Sequence, residues 1–167
     1  MFVDTSAFVA IFCKEPEAPV FADCIERAAR RYTSPMVRLE TCMVLASRWD
    51  RDPADVQGDF DEFLTEASIT VVSITDSIGR FAVEAFQRYG KGRGHPAQLS
   101  LADCLSYACA RAYRDPILFK GRDFGHTDLT SALWSIFRRS GYRFVAENAA
   151  KSITLSASRL QRYGTRQ

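Results

Sequence analysis

Met1-Phe2-Val3-Asp4-Thr5-Ser6-Ala7 is a very short apolar run that stops at a carboxylate, followed by two hydroxyl residues and an apolar helical pattern. If Phe2 and Val3 form a buried strand, Asp4 stands at its carboxyl end. Open α/β sheets place their ligand crevice at that edge. The spacing of Ala7, Phe8, Ile11 and Phe12 predicts a short helix after it, so Asp4 also reads as a plain helix N-cap.

Working outward, Lys14-Glu15-Pro16 breaks this helix, and Val20, Phe21, Cys24, Ile25 and Ala28 predict a second one with a basic end. Tyr32-Thr33 fits a brief strand. Ser34-Pro35 then reads as N-cap and first residue of a third helix, which carries Leu39, Cys42, Met43 and Ala46 inward and Glu40 about one turn from its start. Asp52-Pro53-Ala54-Asp55 starts a fourth, with Val56, Phe60, Phe63 and Leu64 apolar. The β-branched run Ser68–Ile74 is the clearest strand in the chain. A helix from about Asp76 to Tyr89 follows, with Ile78, Phe81, Ala82, Ala85 and Phe86 as its stripe. Gly90-Lys91-Gly92-Arg93-Gly94-His95-Pro96 is a cationic loop. Ser100 opens the next helix, with Leu101, Cys104, Leu105, Ala108 and Ala112 inward and Asp103 off that stripe. Pro116–Phe119 is a short buried strand. Residues 132–136 fit a helix and 142–145 a strand, and fraying is expected from Lys151 onward. Strands alternate with helices and no hairpin signal occurs, so the expected class is α/β, a short parallel sheet flanked by helices.

Size and composition narrow the function classes. The 167 residues are 47% hydrophobic and 25% charged, enough for a core that needs no disulfide or structural metal. The five cysteines are odd in number and form no C-x-x-C pair, so they read as small core hydrophobes. No run is long and apolar enough to span a membrane, and no leader pattern is seen, which makes the expected location cytoplasmic. Residues 134–167 hold seven Lys or Arg against one Glu, while residues 1–133 hold fifteen against nineteen Asp or Glu. An acidic body with a basic tail suits contact with a polyanion, and equally a solvated terminus.

Four acids stand out. Asp4 and Asp123 follow strand ends; Glu40 and Asp103 lie near helix starts. In a parallel α/β sheet all four positions face one edge. Carboxylates gathered there repel unless a hard cation neutralises them, which points to Mg²⁺ or Mn²⁺, as one ion or two, and to activation of a water with an in-line phosphoryl displacement. Each acid also has a plain account: Asp103 completes a Ser100-x-x-Asp103 capping box, Glu40 is a solvated helix residue, and Asp123 a turn residue. There is no Walker loop and no nucleophile elbow. His95 and His126 lie among loop residues, where surface or hydrogen-bonding roles suffice.

Three stretches together, Met1–Ala7, Arg88–Ala97 running into Leu101–Ala108, and Ile117–Leu129, resemble PIN-domain ribonucleases, particularly the VapC-type toxins of toxin–antitoxin pairs. The resemblance covers about residues 1–131. It implies a three-layer PIN-like domain there, with 132–167 as a basic extension that has no counterpart. It further implies a Mg²⁺-dependent endoribonuclease, a cognate antitoxin, an RNA substrate and a homodimer. Asp4, Glu40 and Asp103 match the family's acidic positions, and Ser6 the small hydroxyl position beside the first. Asp123 is assigned as the fourth acid, with Asp128 a close alternative. On this reading Asp4 and Asp103 hold the metal, Glu40 and Asp123 position water or a second ion, and Ser6, Lys91 and Arg93 meet substrate. A PIN nuclease of RNA processing and a non-catalytic binding module on the same scaffold are the rival readings.

Overall fold

The computed structural model describes residues 1–135. Its elements run β1 (Phe2–Val3), α1 (Thr5–Phe12), α2 (Ala18–Arg27), β2 (Tyr32–Thr33), α3 (Pro35–Trp49), α4 (Pro53–Glu66), β3 (Thr70–Val71), α5 (Asp76–Tyr89), α6 (Leu101–Tyr113) and β4 (Ile117–Leu118), with a 3₁₀ turn at Phe124–His126. Residues 132–135 are helical. The strand expected at 142–145 and the fraying expected from Lys151 lie outside the described residues.

The four strands form one parallel sheet in the order β3-β2-β1-β4. Phe2 is in register with both Tyr32 and Ile117, so β1 is buried between neighbours on either side. The chain moves from β1 to β2 in one direction and returns to place β4 on the other. The point where strand order reverses therefore lies between β1 and β4, the place where such sheets open a crevice at the strand C-termini. Asp4 follows β1 and Phe119-Lys120 follows β4, on the two sides of that point.

Five of the six helices α1–α6 start where a side chain satisfies a free N–H group; α2, after Glu17, has no such cap. Asp4 accepts from Ser6 N, Ser34 from Val37 N, Asp52 from Ala54 N and Thr75 from Ile78 N. Ser100 and Asp103 complete the expected capping box on α6. The core rests on aromatic contacts among helices that cover the sheet. Phe8 is fully buried and meets Phe60 edge-on at 4.9 Å, and Phe12 packs on Phe63 at 5.1 Å. Burying each such ring stabilises by about 1.5–3 kcal/mol. Cys24, Cys42, Cys104 and Cys109 are buried free thiols, as expected of core hydrophobes. Burial pushes Cys104 and Cys109 up to about 11.

Several expected faces are corrected. In α3 the buried residues are Val37, Thr41, Cys42, Leu45 and Ala46, while Leu39 and Met43 are exposed. Leu39 and Met43 form an i, i+4 apolar row, but it runs on the side away from the core. In α6 Leu101 and Ala112 are exposed, and Tyr107, Cys109 and Ala110 take the core positions instead. In α5 Phe86 is exposed and Tyr89 is buried in its place. The β-branched run at 68–74 yields only Thr70–Val71 as strand, because β3 is the sheet edge and has one neighbour to pair with. The glycine-rich loop is partly pinned: Lys91 N donates to Leu99 O at 2.9 Å, and His95 packs edge-on against Tyr89 at 4.9 Å.

Candidate active site

At the strand C-terminal edge lies an open cavity of about 470 Å³, lined by Asp4, Thr5, Ser6, Val9, Glu15, Glu40, Val44, Arg48, Asp103 and Lys120. Three of the four acids singled out in the sequence meet here, although they are far apart in the chain. Asp4 arrives on β1, Glu40 on α3 and Asp103 on the first turn of α6.

Each is held by its local structure. The backbone N–H of Asp4 donates to Leu118 O at 3.0 Å, continuing the β1–β4 ladder by one residue. Its Oδ2 accepts from Ser6 N at 3.0 Å and from Ser6 Oγ at 2.7 Å. The Ser6 hydroxyl, its proton given to Asp4, accepts the backbone N–H of Lys120 at 2.9 Å. Asp4 and Lys120 are thus joined through one hydroxyl. Asp103 Oδ2 accepts Ser100 N at 2.8 Å, which fixes the carboxylate over its own helix start. Glu40 Oε2 accepts the buried Thr5 hydroxyl at 2.5 Å. On α3 the row Glu40, Val44, Arg48 lines the cavity, leaving the exposed Leu39 and Met43 row on another side of the helix.

The electrostatics of the site centre on Asp4. Asp4 is buried, and its carboxyl is pushed up from its ordinary 3.8 to about 6. Burial is the main cause and the nearby charge of Asp103 adds to it; the two hydrogen bonds from Ser6 act the other way. The buried Ser106 hydroxyl also favours the charged form, although its geometry falls short of a hydrogen bond. The cavity's cations are engaged at its rim. Lys120 Nζ lies 2.8 Å from Glu15 and 2.9 Å from Glu17, and Arg48 lies 3.0 Å from the other oxygen of Glu15. Lys120 and Arg48 hold the Glu15 carboxyl below its usual range, Lys120 more strongly.

The remaining sequence candidates lie elsewhere. Asp123 is exposed beside the 3₁₀ turn, makes no capping bond and does not line the cavity. Asp128 accepts the Tyr107 hydroxyl at 2.6 Å and pairs with Arg88 at 3.2 Å; both favour its charged form and outweigh its partial burial. Lys91 and Arg93 do not line the cavity, and the Arg93 guanidinium sits 4.7 Å over the Phe86 ring. Among the described residues no three of His, Cys, Asp and Glu stand close enough to hold an ion as they are. Thr5, Glu15, Arg48 and Lys120 were not singled out by the sequence. Lys120 could have been, since it follows a strand end just as Asp4 does.

The chain matches the PIN domain family over residues 1–129. It is 44% identical over 133 residues to Ribonuclease VapC28 of Mycobacterium tuberculosis, covering 80% of this chain and 98% of that protein. In fold it is similar to the crystal structure of Mycobacterium tuberculosis VapC20, a sarcin–ricin loop cleaving toxin. The TM-score is 0.61 at 19% identity, over 77% of this chain and 95% of that one. A toxin–antitoxin complex from Klebsiella pneumoniae contains a chain of similar fold, with TM-score 0.54 at 18% identity, over 74% of this chain and 88% of that one. Among the described residues no helix is long and apolar enough to cross a membrane.

Proposed function

The chain belongs to the PIN-domain family, with VapC ribonucleases among its relatives, and from that footing we propose that it is a metal-dependent endoribonuclease toxin. It hydrolyses RNA phosphodiester bonds and is held in check by a cognate antitoxin. The observation that carries this reading is the convergence of Asp4, Glu40 and Asp103 on one cavity at the reversal of strand order.

The donor set fits a hard divalent cation, Mg²⁺ or Mn²⁺. All donors are carboxylate oxygens, and both hydrogen bonds to Asp4 fall on Oδ2, which leaves Oδ1 for a cation. The spread of the three acids is no obstacle. Mg²⁺ is commonly bound through one or two carboxylates, several waters and substrate phosphate rather than by an all-protein cage. Asp4 and Asp103 would hold the ion. Such an ion supplies an activated water and neutralises charge developing on the phosphate.

The chain's own groups do the rest. Glu40, aimed by Thr5, accepts the proton of the attacking water. Ser6 orients Asp4 and fixes the strand end that carries Lys120. Asp123 is preferred over Asp128 as the fourth acid, because Asp128 is committed to Tyr107 and Arg88. Exposed Leu39 and Leu101, one and two residues from Glu40 and Asp103, offer apolar surface suited to an antitoxin segment.

The test is to induce the chain alone in its host and map new RNA 5′ ends. Discrete new ends are expected with the parent and none with Asp4→Asn or Asp103→Asn; a chelator abolishes cleavage by the purified protein. Antitoxin-free protein that binds Mg²⁺ yet cleaves no host RNA would overturn the reading. Toxicity undiminished in both variants would favour a non-catalytic binding module.

A further inference from the structure

Three charged side chains at the cavity rim have no part in the chemistry above. Glu15, in the turn after α1, binds Lys120 with one carboxylate oxygen and Arg48 with the other. Lys120 and Arg48 are part-exposed on the cavity wall that also carries the acids. Exposed ion pairs contribute little to stability, so this cluster is easily exchanged for another partner. A phosphate presents the same chemistry to these cations as the Glu15 carboxylate does, with more oxygens and stronger charge-assisted bonds. An ammonium has three donors, and Glu15 and Glu17 take two of those of Lys120. The backbone of Lys120 is meanwhile tied to Asp4 through Ser6, which fixes the root of this cation relative to the acids.

We propose that Lys120 and Arg48 bind the RNA backbone next to the scissile phosphate, and that Glu15 is a built-in competitor that occupies them until RNA displaces it. The inference rests on the ribonuclease reading and identifies the chain's own phosphate contacts. Lys120 comes from just after β4 and Arg48 from the last turn of α3, so two separate elements bring cations to the one rim where Glu15 holds both. Glu15 lets the cations stay beside an acidic cavity without collapsing onto Asp4, Glu40 or Asp103. It also lowers affinity for every polyanion, so a correctly docked RNA has to win the exchange.

The test uses the full chain carrying Asp4→Asn, metal-free, with a fluorescein-labelled single-stranded oligoribonucleotide of mixed sequence as probe. Binding is followed by anisotropy across a salt series, so no step depends on cleavage. Lys120→Ala or Arg48→Ala should weaken binding about three- to tenfold and lower the slope of log K against log salt by roughly 0.7. Lys120→Arg should restore it. Glu15→Gln should tighten binding by about threefold or more. A merely structural ion pair would move both sides of the pair in the same direction, so weaker binding by Glu15→Gln overturns the proposal. Unchanged affinity and slope in Lys120→Ala and Arg48→Ala, with RNA still bound, overturns it too and leaves the ribonuclease reading standing. RNA bound by none of these proteins overturns the proposal, while the ribonuclease reading stands or falls on cleavage with Mg²⁺.

Discussion

Replacing Asp4 by Asn should make the metal-free protein more stable. The buried carboxyl is pushed up from 3.8 to about 6, so its charged form is disfavoured in the folded chain. Below pH 3.8 the acid is protonated in both folded and unfolded chains. Between 3.8 and about 6 the folded protein holds the proton more tightly, and its stability falls as pH rises. Above 6 the whole penalty is present. A shift of about two units corresponds to about 3 kcal/mol. Asn loses the charge-assisted character of the Ser6 bonds and brings an NH₂ that needs a partner, which offsets about 1 kcal/mol. The net gain is about 2 kcal/mol at pH 7.5, a rise in Tm of roughly 4–8 °C for a chain of this size. Thermal melts of parent and Asp4→Asn in EDTA at pH 7.5 and pH 4 measure it. The gap should be wide at pH 7.5 and nearly closed at pH 4. Added Mg²⁺ should raise the parent's Tm and leave the variant's unchanged. A variant no more stable than the parent at pH 7.5, or a gap of equal size at both pH values, would refute the reasoning.

Four further outcomes can be measured. Thr5→Val removes the donor to Glu40 without changing side-chain shape, so kcat for RNA cleavage should fall about tenfold with little change in KM and in Tm; an unchanged kcat would show that Glu40 needs no aiming. Tyr107→Phe frees Asp128 and should cost about 1–2 kcal/mol in urea unfolding while sparing cleavage. Asp128→Asn should likewise spare cleavage, whereas Asp123→Asn should impair it, and the reverse pattern would exchange their roles. At Gly90 a Cβ would collide with the ring and the carbonyl oxygen of Phe86, so Gly90→Ala should lower stability by about 2 kcal/mol; a melt within a degree of the parent would contradict that steric account.

Much of the architecture is legible in the residues because local signals and tertiary demands agree. Ser34-Pro35 and Ser100-x-x-Asp103 start helices where capping chemistry says they should. Val56, Phe60, Phe63 and Leu64 are the buried face of α4 as their spacing predicts. The errors fall where apolar residues serve something other than the core. Leu39 and Met43 repeat at helical spacing but stay exposed, and periodicity alone does not say which of two apolar rows faces inward. The run at 68–74 has strand-forming residues throughout, yet strand length at a sheet edge is set by the neighbour, and β2 offers two residues. The acids Asp4, Glu40 and Asp103 could be grouped from the expectation that strand ends and helix starts share an edge. Glu15 and Arg48 could not be read that way, and Lys120 only from its place after a strand end. Their meeting depends on side-chain reach across three elements, and a lysine after a strand looks like any other loop cation.

The capping box at Asp103 sets the two proposed metal ligands apart in a way that a genetic selection would expose. Asp103 closes the capping box that Ser100 opens on α6, so losing it removes a capping hydrogen bond together with a ligand, and the protein should be both inactive and weakened by about 1 kcal/mol. Asp4 caps α1 while its buried charge opposes folding, so Asp4→Asn, which keeps a capping oxygen and drops the charge, should leave inactive protein that accumulates to higher levels than the metal-free parent would. Among survivors selected for escape from this chain, lesions at Asp4 would then be recovered as abundant protein still able to titrate an antitoxin, and lesions at Asp103 as scarce protein. The first class could act in trans on an intact locus in the same cell by drawing antitoxin away from it; the second would be silent.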